Sequence, residues 1–110
     1  MFHGTWFCHP KDILTETKSL DWKYGSEDPN DSKFGLGNYF AYKASYSNAG
    51  YTFENKKTKE MCMIIVWVCP GWVTNNIDNL APDRRSLINF DSYDDGKDVV
   101  STFTNYRHYC

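Results

Sequence analysis

Three short clusters in this chain hold residue types that binding or transfer chemistry requires. The first is Phe2-His3-Gly4-Thr5. A histidine beside a glycine at a strand end can turn its ring into a cleft while the glycine exposes its backbone to a ligand. The ordinary alternative is a surface or half-buried His in a tight turn. The second is Phe34-Gly35-Leu36-Gly37-Asn38-Tyr39-Phe40-Ala41. Its two glycines permit a sharp turn and a close backbone approach. The third glycine and following helix of a dinucleotide fingerprint are missing, so an ordinary turn before a strand remains open. The third is Ala44-Ser45-Tyr46-Ser47-Asn48-Ala49-Gly50-Tyr51. Hydroxyls and aromatic faces at this density suit a flat, amide-bearing ring. Alternatively, Tyr46 and Tyr51 are core residues and the serines cap a short helix, which is the simpler reading of this segment alone.

Other chemistries find no pattern here. There is no G-x-S-x-G for an acyl-enzyme serine. His3, His9 and His108 do not have H-E-x-x-H spacing, and Asp91, Asp94 and Asp95 do not have calcium-loop spacing. Cys8, Cys62, Cys69 and Cys110 include no C-x-x-C pair, so the expectation is free thiols and no metal.

The elements that must position these clusters are short. Residues 2–7 read as a strand entering a turn at Gly4-Thr5. A helix starts near Pro10 and ends near Ser19. Residues 23–37 are rich in Gly, Pro, Asn, Asp and Ser, which predicts a long loop. Residues 38–41 form a short extended or turn segment, and 44–49 a helix of one or two turns. Residues 55–60 are a charged connector. Residues 61–68 (MCMIIVWV) are apolar without alternation, which predicts a central strand covered on both faces. Residues 74–86 are polar and irregular. Residues 87–93 and 99–106 read as two strands around a turn at 94–97. Few helices and several short strands predict an α+β or mostly β domain.

Composition sets the outer bounds. The chain has 110 residues, enough for one domain with a modest core. Phe, Tyr and Trp number 7, 8 and 4 and exceed the branched aliphatics, so the core should be aromatic-rich. The formal charge of −2 disfavours nucleic acid as the main partner. The longest apolar run, 61–69, is too short to span a bilayer. Residues 1–4 lack the layout of a signal peptide. The expected compartment is cytosol or nucleus.

Taken in order, Phe2-His3-Gly4-Thr5, Leu20-Asp21-Trp22, Phe34-Gly35-x-Gly37-x-Tyr39-Phe40-Ala41 and Ala44-Ser45-Tyr46-Ser47 resemble the catalytic domain of the poly(ADP-ribose) polymerase superfamily. The resemblance is to its mono-ADP-ribosylating, zinc-finger and tiPARP-like branch. Phe90-Asp91-Ser92-Tyr93 and the segment 99–109 look like that branch's last strands. The resemblance implies an ADP-ribosyltransferase fold: an α+β domain of two small packed, mostly antiparallel sheets with few short helices and an NAD cleft between them. It implies catalytic roles for His3, on a ribose hydroxyl of NAD, and for Tyr39, beside the nicotinamide ribose. Gly4 and Ser47 would hold the carboxamide, Tyr51 would complete the pocket, and residues 23–37 would cover it as a donor loop. NAD is the implied co-substrate, with no metal. The partner is an acceptor protein, which includes the chain itself.

Departures from the family pattern narrow the expectation. The stacking aromatic three residues after the serine is replaced by Gly50, with Tyr51 one residue later. Aligning Tyr109 with the family's late Tyr puts Cys110 at the following Pro, and the third triad position has no counterpart. The family's strands before the His-Gly motif have none either, which marks a fragment or a reduced domain. The expected function is NAD-dependent protein mono-ADP-ribosylation. The alternatives are an inactive NAD- or ADP-ribose-binding module, and a small aromatic-rich interaction domain.

Overall fold

A computed structural model describes residues 1–5, 9–12, 33–48, 50–103 and 108–109. Leu20-Asp21-Trp22, most of the expected helix at 10–19, most of the expected loop at 23–37 and the end of the expected strand at 99–106 lie outside the described residues. The described chain is mixed α+β, mostly short strands with few short helices.

Among the described residues there are ten strands: β1 (Phe2–His3), β2 (Asn38–Ala41), β3 (Phe53–Glu54), β4 (Met61–Cys62), β5 (Ile64–Ile65), β6 (Trp67–Val68), β7 (Val73–Thr74), β8 (Ser92–Asp94), β9 (Val99–Thr102) and β10 (His108–Tyr109). A five-residue helix, α1 (Ala44–Asn48), follows β2, and a 3-10 turn spans Ile77–Asn79. Six strands form one sheet in the order β5-β1-β2-β9-β8-β7, with β3-β4 and β10-β6 as two-stranded ribbons. All pairings are antiparallel except β7 with β8.

The sheet separates two apolar clusters. Opposed residues of antiparallel strands share a face. His3 stands opposite Ile64 and its ring lies against Phe40, so these three face one way. Phe40, Ile64 and Val66 form the cluster there. Tyr39 stands opposite Ser101, which stands opposite Tyr93, so these face the other way. Phe34, Leu87 and Tyr93 form the second cluster, with Tyr39, Leu80, Phe90 and Phe103 packed around it. The second core is aromatic, as the composition implies.

The run 61–68 does not form one central strand. Its three pieces take three partners: β4 pairs with β3, β5 with β1 and β6 with β10. Ile64 and Val66 are buried, whereas Ile65 is 72% and Trp67 80% exposed. The run therefore covers the core on one side only, and β5 sits at the sheet's edge. Interior positions belong to β1, β2, β9 and β8, each paired on both sides, with β2 and β9 at the centre. Hydrophobicity alone did not distinguish them, because β2 is only four residues long.

The expected strand at 87–93 is also shorter. Leu87 makes an isolated bridge to Leu80, and regular pairing starts only at Ser92. Asn89 adopts φ 66, a left-handed conformation that interrupts an extended chain. The charged segment 55–60 closes the β3–β4 ribbon as a tight loop, with Asn55 Oδ1 accepting from the Lys57 N–H at 3.0 Å. The turn between β8 and β9 is fixed by Asp95, whose Oδ1 accepts from the backbone N–H groups of Lys97, Asp98 and Val99. No helix among the described residues is long and apolar enough to cross a membrane.

Candidate functional site

β1, the start of β2 and the turn after α1 bring the sequence clusters together. β1 lies between β2 and β5, so His3 is fixed by its neighbours on both sides. His3 Nδ1 lies 2.6 Å from the Tyr39 carbonyl oxygen. A carbonyl only accepts, so Nδ1 carries the proton and donates it. In the neutral ring this leaves the Nε2 lone pair as an acceptor. Burial lowers the His3 pKa below the ordinary imidazole value, and outweighs the Tyr39 carbonyl, which raises it. The ring is therefore neutral at pH 7.

Gly4 packs directly on the chain after α1. A Cβ at Gly4 would overlap the Tyr51 carbonyl oxygen and come within 2.5 Å of its carbonyl carbon. Only glycine permits this approach, which sets residues 4 and 51 backbone to backbone. Ser47 is buried at 3% exposure, and its carbonyl accepts from the Tyr51 N–H at 3.0 Å and from Thr52 Oγ1 at 2.9 Å. The helix end thus carries Tyr51 to Gly4. The Tyr51 ring stacks on Tyr46, with centroids 5.9 Å apart and planes 14° from parallel. Tyr51 is 53% exposed, so the pair lies at the surface.

Tyr39 behaves differently. Its backbone carbonyl meets His3, but its side chain leaves β2 on the opposite face. Its hydroxyl donates to the Gly35 carbonyl and accepts from the Phe34 N–H at 3.0 Å. The phenol thereby ties down the Gly35 turn, where Gly35 has φ +88. The structure brings His3, Gly4, Ser47 and Tyr51 to one end of β1. It links Tyr39 to them through the main chain.

Sequence reading missed two contributors. Thr52 is 7% exposed and holds the Ser47 carbonyl through its hydroxyl. Phe40 is 1% exposed and lies 5.4 Å from the His3 ring, fixing its tilt. Thr52 gave no signal beyond following Tyr51. Phe40 was visible as the aromatic inside the Tyr39-Phe40-Ala41 motif.

Among the described residues, no group of three His, Cys, Asp or Glu side chains converges to hold a metal ion. Cys62 is half-buried, Cys69 is exposed, and both are free thiols. A surface groove of about 550 Å³ lies elsewhere, lined by none of His3, Gly4, Tyr39, Ser47 or Tyr51. No protein-family model, curated protein or solved structure matches this chain.

Proposed function

We propose that this chain is an NAD-dependent protein mono-ADP-ribosyltransferase domain of the ADP-ribosyltransferase fold. The observation that carries the reading is the meeting of residues 3–4, 39 and 47–51 around Gly4. Three motifs far apart in sequence contribute there a neutral imidazole, a glycine main chain in contact with residue 51, and a tyrosine stack.

In this reading the Nε2 atom of His3 accepts a hydrogen bond from a ribose hydroxyl of NAD, which keeps its proton. The Gly4 backbone and Ser47 hold the nicotinamide carboxamide, and Tyr51, backed by Tyr46, stacks on the ring. The bond from nicotinamide to ribose C1 breaks and develops oxocarbenium character on the sugar. Nicotinamide leaves with the bonding electron pair and becomes neutral. A nucleophile of the acceptor protein attacks C1 and loses its proton to water. Such a site works by orientation and desolvation more than by proton transfer.

A second reading, an inactive NAD- or ADP-ribose-binding module, draws on Tyr39. Its hydroxyl is already committed to Phe34 and Gly35. Labelled NAD followed by intact-mass analysis separates the two. Single ADP-ribose additions, reduced in His3→Ala, support transfer. Long ladders refute the mono-transferase reading. Binding of NAD by calorimetry without any added mass favours the inactive module, and no binding removes both.

A further inference from the structure

β7 is the last strand of the six-stranded sheet and is paired on one side only among the described residues. Such an edge is a template for another extended chain. Beside it runs the groove of about 550 Å³, lined by Val73, Thr74, Asn75, Phe90, Asp94 and Gly96. Its volume is in the range of sites that enclose a side chain or a small ligand.

The lining is chemically uneven. Asp94 is its one ionised side chain. Tyr42 donates to Asp94 Oδ2 at 2.5 Å and the Gly96 N–H to Oδ1 at 2.8 Å, so the carboxylate is held in place while keeping acceptor capacity. Phe90 is half-buried and offers an aromatic surface. Asn75 is exposed and adds a side-chain carbonyl acceptor. An aromatic surface and an oriented carboxylate in one groove match a guanidinium, which needs acceptors at its edge and tolerates a ring on its face. Outside the groove, on the opposite face of the same edge, Trp72 is 74% exposed. It would accept an apolar side chain from a strand whose residues alternate.

We propose that the β7 edge binds an extended protein segment in which an arginine enters the Asp94–Phe90 groove and flanking apolar residues lie on Trp72. The occupant is a peptide strand of alternating arginine and apolar residues, and charge complementarity with Asp94 selects it. The surface is independent of the NAD reading, since no residue proposed to touch NAD lines it.

The test uses the whole chain and two synthetic peptides, one alternating valine with arginine and one valine with glutamate. Calorimetry and amide shifts read the binding. The arginine peptide is expected to bind, to weaken with added salt, and to shift the amides of Val73, Asn75 and Gly96. Asp94→Asn keeps Oδ1 as the acceptor for Gly96 but should weaken binding about tenfold, the scale of one charge-assisted contact. Asn75→Asp, at an exposed position, should tighten it several-fold and carries the test where Asp94→Asn disturbs the turn. Equal binding of the glutamate peptide, shifts confined to other strands, no response to either variant, or no binding at millimolar peptide would each overturn the proposal.

Discussion

Gly4→Ala is the sharpest perturbation of the candidate site. Gly4 is not among the residues with positive φ, so alanine there suffers no backbone strain of its own. The whole effect comes from contact. The new Cβ would come within 2.5 Å of the Tyr51 carbonyl carbon and 2.9 Å of its Cβ, where ordinary contact begins near 3.4 Å. Because the obstacle is backbone, β1 and the chain at Tyr51 must part by about 1 Å. Overpacking of this kind costs about 1–3 kcal/mol. In a small domain that lowers Tm by roughly 4–8 °C per kcal/mol. A displacement of about 1 Å between binding groups costs on the order of 100-fold in rate. Thermal unfolding should therefore move down by about 10 °C, and the proposed ADP-ribose transfer should fall about 100-fold. Gly96→Ala supplies the control. Nothing lies within 4 Å of its Cβ, but φ +76 strains an alanine by about 1–2 kcal/mol. It should lower Tm and leave NAD binding unchanged. If Gly4→Ala keeps both wild-type Tm and wild-type NAD affinity, the close approach to Tyr51 is not real and the site reading fails with it.

Two further expectations follow from burial and charge. Phe40→Ala should destabilise by about 3–5 kcal/mol in urea unfolding, because Phe40 is 1% exposed at the sheet's centre. Trp67→Ala, at 80% exposure, should stay within about 0.5 kcal/mol, and equal losses in both would refute the assignment of the core. The lowered pKa of His3 makes stability depend on pH. The unfolded chain binds the proton more readily than the folded one. This contribution is therefore complete above the unfolded value near 6.5, and is lost as pH falls through the lower folded value. Urea midpoints from pH 8 to 5 should fall more for wild type than for His3→Gln, and parallel curves would contradict a buried neutral ring.

The legible parts of this chain were those set by local chemistry. Ala44–Asn48 forms its helix where expected, and the Asp- and Gly-rich turn follows β8, because short-range bonding decides both. The 61–68 run was misread because hydrophobicity reports burial but not pairing. Which residues of Met61–Val68 pair with which strand depends on segments far away in sequence. The close contact of Gly4 with Tyr51 was hidden for the same reason. Tyr39 was recognisable as a motif residue. The direction of its side chain was not, since that follows from the register of β2 against β9.

The division of residues 61–68 among three partners also bears on how the chain folds. The β3–β4 ribbon closes through a short loop and can form early. β5 and the residue after it must find the other end of the chain: the Met1 amino group donates to the Val66 carbonyl across a separation of 65 residues. Closing a loop of that length loses chain entropy before any burial offsets it, and topologies built on such contacts fold slowly. The β3–β4 hairpin is closed by its own short loop, so it is expected to form before β5 meets β1. Weakening that hairpin should slow folding, whereas weakening the β5–β1 contact, formed late, should chiefly speed unfolding.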